Sequence, residues 1–280
     1  MYVVFGWLRA RRRRRLAARP LADSERAQIA RNVRYYRCLA EAERRELDGL
    51  IRVFLAEKRI DGCGGITVTD EVRLTIAAQA CVLLLGRATD MYPRLASVLV
   101  YPSAYVGGDE SLLEDGTPPP DAGERIGESW VHGAVVIAWD EIERAAEDCN
   151  DAVNVVYHEF AHQLDDEAGD SPGLPRLPDD MSQSEWSRVM SAEFAALEQA
   201  VDLGRPTVLD PYGAESPAEF FAVATECFFE RPVELAQGSP ELYRQLARLY
   251  RQDPAARMPP RPLPPRGRAR HPLRRRAGEA

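Results

Sequence analysis

The sequence predicts an α+β domain that is mostly helical and contains a small sheet. Apolar residues recur at three- and four-residue spacing in both halves of the chain, as on the buried face of helices. Between these regions, two short apolar runs at 97–101 and 134–139 have the length and residue types of strands. Helices, then a few strands, then helices form the element order of an α+β fold.

Charge divides the chain of 280 residues, of which 45% are hydrophobic, into three parts. The first 20 residues hold seven arginines and no acid, whereas 254–280 holds eight arginines, seven prolines and one acid. The stretch 21–253 holds 21 basic and 43 acidic residues. We therefore expect one folded domain over 21–253 between disordered basic tails at 1–20 and 254–280, and no nucleic-acid surface on the acidic core.

Cysteine usage and the amino terminus indicate a cytoplasmic protein. Five scattered cysteines form no C-x-x-C pair, which favours reduced thiols. At the amino terminus an apolar run precedes the arginines, the reverse of a secretory signal. The longest apolar segment, 74–85, is shorter than the roughly 20 residues that span a bilayer, so no transmembrane segment is expected.

Glycine and proline separate the predicted elements of the first half. Gly86 suits the end of a helix, and Pro102 ends a strand. The predicted order is a helical region over 23–58, a turn at 62–65, a strand or helix lead-in at 66–69, a helix over 70–85, a strand over 97–101 and a surface loop over 107–124.

The second half contains the second strand and most of the helices. Ser216 followed by Pro217 is a typical helix start, since serine caps the first turn and proline fits its first position. The predicted order is a strand over 134–139, a helix from 140 to 147, a helix over 153–165, a loop over 169–182, helices over 184–201 and 217–230, and a last helix over 240–251.

The predicted helix 153–165 carries the sequence His158-Glu159-Phe160-Ala161-His162. Residues four apart lie one above the other on a helix, so both imidazoles can bind one zinc ion from the same face. Glu159 lies between them and suits a general base that takes a proton from the attacking water. The pattern therefore predicts a catalytic zinc site.

A catalytic zinc has three protein ligands and one open position, so a third ligand is needed. No further histidine follows before His271 in the tail, which favours a carboxylate. Asp165 is too near in sequence to complete the set easily and suits a hydrogen-bond acceptor for a ligand imidazole. Glu219 and Glu226 lie two turns apart on one face of an apolar helix, and their spacing does not choose between them.

The segments HEFAHQLDD and SPAEFFAVATECFFE, with Tyr212 between them, resemble the zinc peptidases called Mlc titration factor A. They resemble the catalytic domain of anthrax lethal factor more distantly. The similarity covers about 35–254 and implies a zincin-like fold with one zinc per chain. It implies that the ligands are His158, His162 and Glu219, that Glu159 is the general base, and that Tyr212 donates a hydrogen bond to the oxyanion. Glu226 then has a supporting role.

The predicted function is that of a zinc-dependent peptidase, aminopeptidase-like by the resemblance, acting on a peptide or protein. Two alternatives stay open: a regulatory module that uses the peptidase fold to sequester a transcriptional regulator, and a zinc hydrolase with a non-peptide substrate. The presence of Glu159 and Tyr212 favours the enzyme, because a pure binder needs no base. The sequence leaves open the substrate, the exo- or endopeptidase mode and the oligomeric state.

Overall fold

The computed structural model describes residues 2–103, 133–147, 152–167, 169 and 171–260. Helices dominate these residues, with one small sheet, as an α+β fold requires. The helices are α1 (Tyr2–Ala17), α2 (Asp23–Asn32), α3 (Arg34–Cys38), α4 (Glu41–Glu57), α5 (Asp70–Val82), α6 (Trp139–Glu147), α7 (Val155–Asp166), α8 (Gln183–Asp202), α9 (Pro217–Glu230), α10 (Pro232–Gly238) and α11 (Pro240–Tyr250). The strands are β1 (Arg59–Gly62), β2 (Ser97–Tyr101) and β3 (Ala134–Ala138).

The described strands form one parallel sheet in the order β1-β2-β3. Ser97 at the start of β2 pairs with Arg59 on one side and with Ala134 on the other. The alternate valines of β2 are fully buried, and β3 packs against α7. The sheet therefore supports the helix that carries the histidine motif.

The first strand lies between the predicted helical region and the predicted turn, and it overlaps that turn at Gly62 alone. β1 occupies Arg59–Gly62, and residues 66–69 are a lead-in to α5 whose Thr69 side chain accepts from the Val72 N–H at 3.3 Å. Ile60 is the one apolar and the one buried residue of β1, and four residues with one apolar position are too few to predict a strand. Long-range pairing with β2 determines this strand.

The single helical region predicted over 23–58 is three helices. The backbone is extended at Val33 and at Leu39, which ends α2 and α3. The Glu43 carboxylate then accepts the Ala40 N–H at 2.9 Å and satisfies one of the donors left unpaired at the start of α4. Neither break is marked by glycine or proline, so the sequence pattern alone does not show it.

The amino-terminal region 1–20 was expected to be disordered, and this is wrong for most of it. Residues Tyr2–Ala17 form α1, which packs along α4. Arg13 holds the Glu57 carboxylate with two hydrogen bonds of 2.9 and 2.8 Å. Arginine is a good helix former, so an arginine run forms a helix once a neighbouring acid and an apolar surface accept it.

The folded body also extends past residue 253. Pro254–Ala256 form a 3₁₀ turn, Met258 is buried, and Arg257 holds the Glu43 carboxylate at 2.7 and 2.8 Å. The remainder of the predicted carboxyl-terminal tail, 261–280, lies outside the described residues, as does the predicted loop 107–124.

The core surrounds α7. This helix packs against α5 and α9, two helices that are buried along most of their length. The apolar face of α9 continues into an aromatic cluster in which Phe228 and Phe229 contact Tyr250. Of the helices that the structure describes, none has the length and apolar character that crossing a membrane requires.

Candidate metal centre

The helix that carries the histidine motif begins at Asn154. The Asn154 side chain accepts from the Tyr157 N–H at 3.1 Å and caps the helix. His158 is fully buried, Glu159 is 2% exposed and His162 is 8% exposed. A buried polar face on this helix requires partners from other elements, and α9 supplies them.

Three side chains converge with the separations that a shared ion would give. The Nε2 atoms of His158 and His162 are 3.1 Å apart, and the Glu219 carboxylate lies 3.0 Å from the first and 3.5 Å from the second. Ligands about 2.0–2.1 Å from a shared tetrahedral ion lie about 3.3–3.4 Å apart. The donor set of two imidazoles and one carboxylate therefore fits a metal ion, as the sequence predicts.

Glu219 reaches this position because of how α9 begins. Ser216 caps the helix by accepting the Glu219 N–H at 3.2 Å, and Pro217 occupies the first turn. This places Glu219 in the first turn of α9, facing α7. The Ser-Pro start predicted from the sequence is thus the local structure that presents the third candidate ligand.

The electrostatics of the cluster favour a cation. Burial by itself raises the pKa of Glu219, but hydrogen bonds from His158 and His162 outweigh burial and hold that pKa well below its usual range. Burial by itself lowers the pKa of His158, but hydrogen bonds with Glu219 and Glu226 raise it to about 10. A metal ion on the Nε2 atoms would displace the proton that the raised pKa keeps on His158 and leave its ring neutral, so metal binding should release protons.

Glu226 orients the His158 ring by contacting Nδ1, the ring nitrogen that does not face His162 and Glu219. One carboxylate oxygen lies 2.6 Å from His158 Nδ1, and the other accepts the Asn154 N–H at 2.7 Å. With the proton of the neutral ring on Nδ1, the Nε2 lone pair points at His162 and Glu219. The two acids that the sequence leaves as alternatives therefore lie at different places, Glu219 inside the cluster and Glu226 behind its buried histidine.

Replacing Glu226 with Gln should weaken Zn²⁺ binding about 10- to 100-fold, because the charged acceptor behind His158 fixes the ring and raises its basicity. Competition against a chromophoric chelator measures the dissociation constant. Glu230→Gln is the matched control, since Glu230 accepts from the Asn154 side chain at 3.1 Å at the end of the same helix. Equal affinities for the two variants would contradict the role given to Glu226.

Tyr212 lies beside the cluster on a 3₁₀ turn, Pro211–Ala214, that Asp210 caps by accepting the Tyr212 N–H at 2.8 Å. Its ring centroid is 5.9 Å from that of His158, and its hydroxyl is hydrogen-bonded to Glu219. Burial, followed by the negative charge of Glu219, raises the pKa of the phenol. Tyr212 is therefore a neutral hydrogen-bond donor at physiological pH.

Asp165 has a structural contact instead of the one expected for it. Its carboxylate accepts the Gly173 N–H at 2.7 Å rather than a hydrogen bond from an imidazole. The Gly173 carbonyl in turn accepts the Trp186 indole N–H at 3.0 Å. Asp165 thus ties the segment after α7 to α8, and it lies outside the three-residue cluster.

A cavity of about 520 Å³ opens beside the cluster. This volume lies within the range of ligand-binding sites. Its walls are formed by Arg94, His162, Asp165, Asp166, Gly169, Pro172, Ala218 and Glu219. Sequence reasoning missed Arg94 and the roles of Asn154 and Gly173, because nothing in the spacing of these residues connects them to the histidine motif.

A family model and several sequence relatives match most of the chain. The model of the family described as glucose-regulated metallo-peptidase M90 matches residues 7–251. The uncharacterized protein slr2042 of Synechocystis sp. is 38% identical over 87% of this chain and 89% of its own length. Proteins named Mlc titration factor A are 31% identical in Pectobacterium atrosepticum, over 79% of this chain and 83% of the relative, and 32% identical in Klebsiella pneumoniae, over 78% and 83%.

The family match starts within α1, so it reaches further towards the amino terminus than the resemblance over 35–254. The matched region thus includes most of α1 and all of α2. This agrees with the packing of α1 on α4.

Proposed function

The chain belongs to the M90 family of glucose-regulated metallo-peptidases, and from this premise we propose that it is a zinc-dependent peptidase with His158, His162 and Glu219 as ligands of a single zinc ion. The observation that carries the proposal is the convergence of the three donor atoms, all within 4.8 Å of one another. Two imidazoles and one carboxylate form the ligand set of many catalytic zinc sites and leave one position open.

A zinc ion bound there would polarise the scissile carbonyl and acidify a water molecule. Three side chains of the protein assist the reaction. Glu159, next to His158 on the buried helix, accepts the proton of the attacking water and passes it to the leaving amine. Tyr212 donates its hydroxyl proton in a hydrogen bond to the oxyanion, and Glu226 keeps His158 in the ligating tautomer.

The substrate class and setting complete the proposal. We propose peptides as substrates, cleaved in the aminopeptidase-like mode that the family resemblance implies, within a zincin-like fold of the two-histidine, one-glutamate type. A cytoplasmic location is supported by the free thiols of the four cysteines that the structure describes, Cys38, Cys63, Cys81 and Cys227.

A panel of aminoacyl p-nitroanilides and internally quenched peptides tests this function. We expect the purified protein to hydrolyse members of the panel, to lose this activity with 1,10-phenanthroline, and to regain it with one equivalent of Zn²⁺. Colorimetric and fluorescence rates provide the measurement. Protein that carries one zinc and hydrolyses nothing in the panel would contradict the enzyme proposal.

The names of the relatives favour a second candidate function. Mlc titration factor A denotes a protein that titrates Mlc, and such proteins match about four-fifths of this chain. In this alternative, the chain binds a transcriptional regulator and the metal site stabilises the binding surface. This alternative would be favoured if zinc-loaded protein hydrolysed nothing in the panel but bound a transcriptional regulator tightly without cleaving it.

A further inference from the structure

Arg94 is a cationic side chain on the wall of the candidate active-site cavity. It is exposed, it belongs to the segment between α5 and β2, and it lines the same cavity as His162 and Glu219. Within the described part of the chain, it makes no ion pair at 4.0 Å or less and no side-chain hydrogen bond. Its guanidinium is therefore available to a ligand that enters the cavity.

The turn that carries Arg94 has a strained backbone. Met91 and Tyr92 are consecutive residues with left-handed φ angles of 60° and 50°, although neither is glycine. Both side chains are buried, and the Tyr92 hydroxyl donates to the Ala80 carbonyl at 2.7 Å. Strain of this kind persists only where surrounding contacts enforce it, and it is concentrated at functional sites.

Lys58 stabilises the same turn through two hydrogen bonds. It is the single lysine of the chain and is 6% exposed. Its ammonium donates to the carbonyls of Tyr92 and Leu95, both at 2.6 Å, and the Leu95 N–H closes the turn on the Tyr92 carbonyl at 3.1 Å. Because the buried Lys58 ammonium binds the carbonyls of the residues on both sides of Pro93 and Arg94, it restricts the backbone position of Arg94.

Arg94 is the one arginine among the residues that line the cavity, and no lysine lines it. Glu219 is engaged by the two histidines, and Asp165 accepts the Gly173 N–H. Asp166 is an exposed carboxylate on the same wall, and it leaves the guanidinium free because it forms no ion pair with Arg94 within 4.0 Å. A guanidinium has a planar fork of donors that matches a carboxylate in a bidentate pair.

We propose that Arg94 is a carboxylate-binding subsite, which selects peptides that carry an acidic side chain or a free carboxyl terminus near the bond to be cleaved. The inference rests on the proposed peptidase function and adds its substrate class. Both kinds of peptide would present a carboxylate to Arg94. The experiment below distinguishes an acidic side chain from a free carboxyl terminus as the source of that carboxylate.

The test uses matched quenched peptides that differ by Glu or Gln at each position near the cleavage site, each with a free or an amidated carboxyl terminus. We expect wild-type protein to favour one carboxylate form about 10- to 100-fold in kcat/KM, the range for a hydrogen-bonded charge. Arg94→Gln should remove this preference, mainly through KM, and Arg94→Lys should restore only part of it. The form that loses its advantage identifies the source of the carboxylate.

Arg188→Gln is the control, because Arg188 is an exposed arginine on α8 and its loss changes the net charge equally. Hydrolysis by wild-type protein with no preference for any carboxylate form, or a preference that Arg94→Gln retains, would overturn the inference and leave the peptidase function intact.

A binding measurement separates the subsite from turnover. Fluorescence anisotropy of the same labelled peptides on zinc-loaded Glu159→Gln protein should show tighter binding of the carboxylate form, lost in the double variant with Arg94→Gln. If the peptides bind with this selectivity but wild-type protein does not hydrolyse them, the result would support the subsite and contradict the peptidase function. Equal binding of both forms to the single variant would overturn the subsite.

Discussion

Glu159→Gln should lower kcat for peptide hydrolysis by about 10²- to 10⁴-fold, the usual contribution of a general base. Glutamine has almost the same shape as glutamate and accepts no proton at neutral pH. Glu159 is 2% exposed, so the isosteric change avoids a cavity and leaves the packing of α7 intact. Steady-state rates on the best substrate of the panel measure the effect.

Zinc content distinguishes loss of the base from loss of the metal. The Glu159→Gln protein should hold one zinc per chain with near wild-type affinity, because Glu159 is not among the three clustered donors. A variant that keeps its zinc and at least half of the wild-type kcat would rule Glu159 out as the base. Asp202→Asn, at the end of α8, is a control for the loss of one carboxylate outside the site.

Tyr212→Phe should lower kcat by about 10²- to 10³-fold with little change in KM, since an oxyanion donor acts in the transition state more than in the ground state. The ring and its contact with His158 are kept, and only the hydroxyl is removed. Because this hydroxyl is also hydrogen-bonded to Glu219, zinc affinity is measured on the same variant.

Tyr35→Phe is the matched control for Tyr212→Phe. It removes a buried phenol hydroxyl from a ring that packs on Phe229, outside the metal cluster. We expect wild-type kcat from it. If Tyr212→Phe reduces zinc occupancy in proportion to activity, the tyrosine supports the ligand Glu219 and is not an oxyanion donor.

The parts of the site predictable from the sequence are those set by local spacing. His158 and His162 face one way because they are four residues apart on a helix, and Ser216 with Pro217 marks the helix start that presents Glu219. These rules need no knowledge of distant residues, and the structure places each of these elements where the pattern puts it.

The remainder depended on long-range contacts. Glu226 and His158 are 68 positions apart, and nothing in the periodicity of either helix shows that they touch. β1 exists because β2 pairs with it, and Arg94 reaches the cavity because Lys58 holds its turn. Arginine composition suggested a disordered tail at residues that form α1, because composition does not show that Glu57 lies alongside.

Anomalous diffraction at the zinc absorption edge, from crystals of the zinc-loaded protein, is the most direct test of whether His158, His162 and Glu219 hold one zinc ion. We expect one peak per chain, about 2.0–2.2 Å from both Nε2 atoms and from an oxygen of Glu219. We also expect Glu226 to contact His158 Nδ1 and not the ion. A zinc peak ligated by Glu226 or Asp165 in place of Glu219, or no peak between the two histidines, would show that the proposed ligand set is wrong.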